Sequence, residues 1–190
     1  AAEHGSPTRR ARARSEAERA WGRAAELGIA YGHYRLGGLA LDRGARTNAL
    51  KHLELAAAAD YRPALRELAW ALGAEAASAE DRDRVLDLLR RAADGGGAED
   101  RYSFARWALL ESASPEPHPE ALAALEANVA ARHPPSLALL GDLHARGRHV
   151  SEDPVRAHSL WLEAADLART LETLHGVARA GKATIFPQAI

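Results

Sequence analysis

A pair of small residues returns along this chain at a nearly constant interval. Ala24-Ala25, Ala56-Ala57, Ala92-Ala93 and Ala164-Ala165 are four copies, and Asn128-Val129 is a degenerate copy between the last two. In chain order the pairs begin 32, 36, 36 and 36 residues apart. Twelve residues after each of the first four starts comes a second mark: Leu36-Gly37, Leu68-Ala69, Phe104-Ala105 and Leu140-Gly141. A period of this length belongs to stacked helical hairpins, because one hairpin cannot bury its apolar face without its neighbours. The expected fold class is therefore all-α, a solenoid of four to five helix-turn-helix repeats.

Composition agrees with that expectation. Ala, Leu, Arg and Glu dominate and β-branched residues are scarce, so helix is favoured throughout. Hydrophobic residues make up 47% of the chain. Much of that is alanine, which lets helices approach closely but buries little area per residue. The 25 basic and 26 acidic residues leave a net charge of −1, with no bulk attraction to nucleic acid or membrane. No apolar run approaches the ~18 residues that would suggest a membrane span. The absence of cysteine excludes disulfides and thiolate metal sites and leaves the redox compartment open. There is no methionine, and the chain starts Ala1-Ala2-Glu3. That start fits a remnant of signal-peptide cleavage at small residues, which implies a periplasmic or secreted protein. It also fits an excised fragment, for which a cytoplasmic location stays open.

Residues 1–15 read as a flexible basic arm with Gly5, Ser6 and Pro7 followed by Arg9, Arg10, Arg12 and Arg14. Solvation of these arginines is preferred over a membrane or nucleic-acid contact. The solenoid is expected over 16–180, opened by Ser15 as an N-cap with Glu18 three residues on. Helices are expected at 30–43, 47–59, 63–75, 80–94, 98–112, 119–132, 135–146 and 154–167, with a capping helix at 168–180. Gly44, Gly95 and Gly181 mark stops, Thr47 is a candidate cap, and Pro63 and Pro154 suit first turns. The proline-rich connection from Ser114 to Pro119 should protrude as a semi-rigid loop. Residues 181–190 form an apolar tail containing Ile185, Phe186 and Ile190.

The best-formed unit is Leu140-Gly141, Gly147, Val150, Asp153 and Ala157, followed by Trp161 and Ala164-Ala165. In that order and spacing it resembles the Sel-1-like repeat (SLR), a relative of the tetratricopeptide repeat. His144 replaces the aromatic of that pattern, His149 its second glycine and Arg156 its lysine. The first unit also matches through Gly28, Gly32, Gly37, Gly44 and Ala49, but is four residues short between its helices. Ala69 and Ala105 stand where glycine is usual. The resemblance covers about 24 to 167. It implies a solenoid without chemistry of its own that organises protein complexes, often in the bacterial envelope or in signalling.

Repeat solenoids bind along the concave surface, which the first helix of each unit lines. The exposed stripe beside each Leu-Gly mark carries Tyr31, Tyr34 and Gly38 in the first unit and Arg66 and Trp70 in the second. The third presents Tyr102 and Arg106, and the fourth Ala138 and Asp142. Tyr, Trp and Arg most often carry interface energy, so Tyr31, Tyr34, Arg66, Trp70, Tyr102, Arg106 and Asp142 are the candidate partner-binding residues. Packing between adjacent repeats is the competing account of the aromatics. Trp107 and Trp161 occupy core positions of the repeat, and Trp21 should cap the first unit.

No catalytic residues are expected. The chain has no nucleophile elbow, HExxH helix, phosphate loop or dinucleotide fingerprint. His144, His149, His158 and His118 do not make a four-ligand zinc pattern, and Glu111 and Glu116 read as exposed charge. The expected function is a non-enzymatic scaffold or adaptor that needs no cofactor. It would bind a protein or peptide, as a monomer or within a hetero-complex, and the resemblance admits an envelope assembly factor or a toxin-inhibiting, immunity-type protein. An accessory domain of a larger bacterial enzyme or exporter is the alternative, and a His-dependent metalloprotein using the fourth unit is the third reading.

Overall fold

The computed structural model describes residues 7–111 and 118–184, with side chains described for residue 9, residues 11–111 and residues 118–170. These hold nine α-helices and no strand. They are α1 (Pro7–Glu26), α2 (Ala30–Asp42), α3 (Arg46–Ala58), α4 (Arg62–Gly73), α5 (Ala79–Ala93), α6 (Ala98–Arg106), α7 (Pro119–Ala130), α8 (Pro134–Arg146) and α9 (Pro154–Thr184). The fold class is an all-α helical-repeat solenoid. The chain divides into two units, one built from α1–α6 and one from α7–α9 together with Ala108–Leu110.

In the first unit each helix packs on the next in the sequence. The recurrent small residues sit where helices cross. A Cβ on Gly37 would lie 2.8 Å from Leu53 of α3, and one on Gly32 would lie 2.6 Å from the Ala25 backbone of α1. Ala49, Ala56, Ala64, Ala69, Ala92 and Ala105 are fully buried, as are Leu53 and Leu89. Side chains of this size let helices nest at close range, and a larger one at Gly37 has nowhere to go. Polar bonds link the connecting turns and second helices. Arg91 donates to the Ala57 carbonyl (3.0 Å) and pairs with Asp60 (2.5 Å), and Arg62 donates to the Gly95 carbonyl (2.5 Å). The second helices of the first two repeats are also joined by Arg84 and Glu54 (2.9 Å).

In the second unit α8 packs on both α7 and α9. The degenerate mark acquires a physical account there. Asn128 and Ser136 are both 0% exposed, and the Asn128 Nδ2 donates to the Ser136 Oγ at 3.1 Å. His133 Nδ1 lies 2.9 Å from the same hydroxyl. The amide stands at the alanine position facing a serine whose hydroxyl accepts the Asn128 Nδ2 hydrogen bond. The loop from Gly147 to Asp153 is tied back through histidines. His144 Nδ1 donates to the Ser151 carbonyl, and His149 Nε2 to the Leu109 carbonyl, each at 3.0 Å.

Several sequence expectations change. Helix α1 begins at Pro7 rather than Ser15, and so takes in residues 7–14 of the expected arm. Pro7 fits a first turn, and the Ala/Arg run behind it has high helix propensity. Ser15 is therefore mid-helix and caps nothing, while Glu18 pairs with Arg43 at 2.8 Å and Arg14 at 3.6 Å. Thr47 is inside α3, whose N-cap is Ala45 without a side-chain cap bond. The capping box lies instead at Ser78 and Asp81, before α5. The third repeat's first helix is not uniformly α: beyond Arg106 it widens into a π-turn, Trp107–Glu111. The fourth repeat's second helix and the expected capping helix are one continuous α9, because neither Gly nor Pro separates them and Gly181 does not stop it. Trp161 is 39% exposed, not core. It lies across Gly141 and donates its indole N–H to Asp142 at 3.1 Å. Trp107, in contrast, is buried against Gly73, with its N–H on the Arg82 carbonyl at 3.2 Å. The Ser114–Pro119 loop lies largely outside the described residues, as do residues 1–6 and 185–190.

Two predictions follow from this packing. Ser136→Ala removes the hydroxyl that the buried Asn128 Nδ2 bonds and should lower unfolding stability by about 1–3 kcal/mol. Adding Asn128→Ala should recover much of that loss in chemical denaturation; two losses that simply add mean the pair is not coupled. The second prediction concerns His33 and His52, whose Nδ1 atoms meet at 3.0 Å between α2 and α3. Burial, then His33 and then Lys51, lower the His52 pKa below its ordinary 6.5. The unfolded chain thus takes up this proton at higher pH than the folded one. The His52 contribution is full above about pH 6.5 and is lost as pH falls through its lowered value. The melting temperature should fall between pH 7.5 and 5 by less in His52→Gln than in the unaltered protein; equal falls remove the pair as the cause.

Candidate functional site

The first helix of each repeat in the first unit, α2, α4 and α6, carries a continuous set of aromatic and arginine contacts. Tyr31 and Tyr34 are one turn apart on α2 and meet Tyr61, the residue that precedes α4. Tyr34 and Tyr61 have ring centroids 5.2 Å apart, and Tyr31 and Tyr61 6.3 Å. The Tyr34 hydroxyl donates to Glu67 of α4 at 3.0 Å. Burial, and after it the adjacent Glu67 carboxylate, raise the Tyr34 phenol above its ordinary pKa. Tyr34 therefore stays a neutral donor across the physiological range.

One repeat further, Arg66 of α4 pairs with Asp100 of α6 at 2.6 Å. Asp100 also accepts the Gly97 backbone N–H at 3.2 Å, so one carboxylate caps α6 and fixes the guanidinium. Trp70 is 39% exposed, and the Arg106 guanidinium lies 5.7 Å from its ring centroid, within cation–π range. Arg106 also reaches Glu111 at 3.8 Å. Tyr102 is half-buried beside these on α6.

Six of the seven sequence-predicted residues thus lie in the first unit. Tyr31 and Tyr34 share one ring cluster, Trp70 and Arg106 touch, and Arg66 binds Asp100 of the helix that carries Tyr102. Asp142 belongs to the second unit, exposed on α8 and engaged by Trp161. The aromatics do not divide cleanly between packing and display. Tyr34 bridges two repeats and still borders open space, and Trp70 and Tyr31 are 39% and 44% exposed.

Three hollows open along this set. The largest, about 430 Å³, is lined by Trp21, Tyr34, Arg35, Gly38, Leu39, Asp42 and Glu67, with Arg14 at its edge. A second, about 350 Å³, has Trp70, Arg82, Arg106 and Trp107 in its walls. A third, about 400 Å³, lies between Tyr61, Arg62, Arg66 and Asp100. Sequence reasoning missed Arg35 and Trp21. Their rings and charge come together across α1 and α2, with the Arg35 guanidinium 4.3 Å from the Trp21 centroid. Trp21 precedes the Ala24-Ala25 mark by three residues, as Leu53, Leu89 and Trp161 precede theirs, but Arg35 stands at no mark, so no periodic signal joined the two.

The groups that could support chemistry are held elsewhere. His144 spends a ring nitrogen on the Ser151 loop carbonyl and His149 on the Leu109 carbonyl of the π-turn, and His158 is exposed. Among the described residues no three His, Cys, Asp or Glu side chains gather at metal-binding distance. Among them, too, no helix is long and apolar enough to cross a membrane.

No protein-family model and no curated protein matches the chain. Solved structures do resemble it. A protective antigen of uropathogenic Escherichia coli with an SLR fold superposes with a TM-score of 0.62 at 21% identity, over 78% of this chain and 32% of that one. A Sel1 repeat protein from Oxalobacter formigenes gives 0.65 at 19% identity, over 79% of this chain and 63% of that one. A putative sel1 repeat protein from Klebsiella pneumoniae gives 0.56 at 22% identity, over 80% and 74%. The chain therefore spans about a third of the first neighbour and under two thirds of the second. Identity at this level speaks for the backbone and not for the partner: the protein has the helical-repeat fold of Sel1-type solenoids.

Proposed function

We propose that this protein is a non-catalytic interaction module that holds a segment of another protein along the face made by α2, α4 and α6. One observation carries the reading. Aromatic rings and guanidinium groups on that face are fixed by contacts between successive repeats, yet border three open hollows. Fixing these side chains in the free protein removes part of the ordering cost of binding. Tyr, Trp and Arg are also the types that anchor interfaces. An exported location, and use as an envelope assembly factor or as an inhibitor that covers a toxin, fall within this proposal. Support comes from the Sel1-type fold and from the bacterial sources of the neighbours.

A second reading has an observation of its own. Two neighbours are much longer than the region they share with this chain. The same face would then serve as the docking part of a larger protein, with any chemistry encoded outside it.

Trp70→Ala and Arg106→Ala should each reduce partner capture from extracts of the source organism by about tenfold or more. Thermal unfolding should shift by no more than about 4 °C, the effect of about 1 kcal/mol in a chain of this size. Undiminished capture with a larger fall in melting temperature would assign both residues to packing and remove the proposal.

A further inference from the structure

Along α2, Arg35, Gly38 and Asp42 are spaced three and four residues apart and so share one stripe. All three border the largest hollow. Arg35 is exposed and poised over Trp21 at 4.3 Å, with Tyr31 at 6.0 Å. Of the other groove arginines, Arg66 has Asp100, Arg106 has Glu111 and Arg14 has Glu18, while Arg62 and Arg82 bond the backbone carbonyls of Gly95 and Ala77. Arg35 has no such partner among the described residues. Asp42 has none either, and it is the last residue of α2. A carboxylate there faces the negative end of the helix dipole, and no basic residue in the last turn relieves it. Between the two charges Gly38 leaves bare backbone. A Cβ built on it would have only Glu67 Oε2 nearby, at 3.9 Å. Glu67, the other carboxylate of the hollow, is already engaged by Tyr34.

The hollow is therefore dipolar, with an uncompensated cation at one end, an uncompensated anion at the other and a notch between. Seven helical residues separate the two Cα atoms by about 10.5 Å. The lean of Arg35 toward Trp21 and Tyr31 widens the distance between the charges. An extended chain advances about 3.3 Å per residue, so this gap corresponds to three or four residues.

We infer that the first repeat selects, within the partner segment, an extended stretch bearing a carboxylate and a cation three or four residues apart. The carboxylate meets Arg35, the cation meets Asp42, and the intervening backbone crosses Gly38 beside Tyr34 and Leu39. This rests on the proposed binding face and deepens it by specifying the ligand's charge order.

The test is selection of a displayed library of random 12-residue peptides on the intact protein. It is repeated on the charge-swapped variant Arg35→Glu/Asp42→Arg and on Gly38→Leu, after a melt has shown each to be folded. The unaltered protein should enrich peptides with opposite charges three or four residues apart in a single order. The swapped protein should enrich the reverse order and bind the original peptides at least tenfold more weakly. Gly38→Leu should weaken binding tenfold without lowering the melting temperature, because a Cβ there meets no atom closer than 3.9 Å and leucine is the better helix former. Enrichment without charge order, or the same order from both proteins, overturns the inference. If such peptides still lose affinity on Trp70→Ala, the binding face survives and only the charge rule fails. If no peptide is enriched on any of the proteins, both readings fall.

Discussion

Everything in this fold depends on how closely one helix can lie against the next. Alanine and glycine at the repeat marks set that distance. Where Gly37 meets Leu53 and Gly141 meets Trp161, an added methyl would fall within 3 Å of the facing side chain. Such contacts bury little area each, but they recur, and each repeat contributes to its neighbour's core as well as its own. The penalty for a larger side chain would accordingly pass to the next helix. Asn128 shows the condition under which the rule relaxes: the amide fits only because Ser136 is small and supplies a hydroxyl.

Close nesting also brings side chains of successive repeats into polar contact on either side of the apolar layer. On the α2–α4–α6 side these contacts use Tyr34 with Glu67 and Arg66 with Asp100. Among the turns and second helices they use Arg91 with Asp60 and Arg84 with Glu54. The exposed pairs in the second group add little to stability. The first group is half-buried and aromatic-rich, and it leaves hollows. The same side chains thus hold the repeats in register and form the walls a ligand would touch. Asking whether Tyr34 packs or binds sets up a choice that its geometry does not require.

How much of this could be read from residues alone follows from periodicity. Helices α2 to α8 begin within a residue of their expected positions, because small-residue marks, glycine stops and first-turn prolines all recur in phase. The errors fall where periodicity stops. The start of α1 depended on helix propensity with no repeat to frame it, and Ser15 looked like a cap although good helix formers precede it. The merging of the last two expected helices into α9 reflects a missing breaker, an absence that carries no positive signal. Trp161 occupies a leucine position, yet its ring is too large to sit as Leu53 and Leu89 do, so it spreads over Gly141 toward solvent. The aromatic and arginine stripe was visible as residue types at repeat spacing. Which of its charges are spent was not visible, because that depends on partners 30 or more residues away, as with Tyr34 and Glu67 or Arg66 and Asp100.

The short first interval, 32 residues against 36 elsewhere, changes how the first repeat closes its turn. The four missing residues come from the connection between its two helices, where three residues join α2 to α3 and seven join α8 to α9. The longer loop folds back on its own helix end: Asp153 N–H bonds the His144 carbonyl, Arg148 N–H bonds the Leu143 carbonyl, and His144 reaches Ser151. The shorter one has only enough chain to close the turn, through Gly44 and Ala45 onto Leu41 and Ala40. Asp42 keeps an exposed carboxylate at a helix terminus where the dipole disfavours it, and Gly38, one turn earlier, is half-buried. The first repeat thus closes its turn with backbone bonds alone, whereas the fourth adds a histidine tie from its helix to its loop.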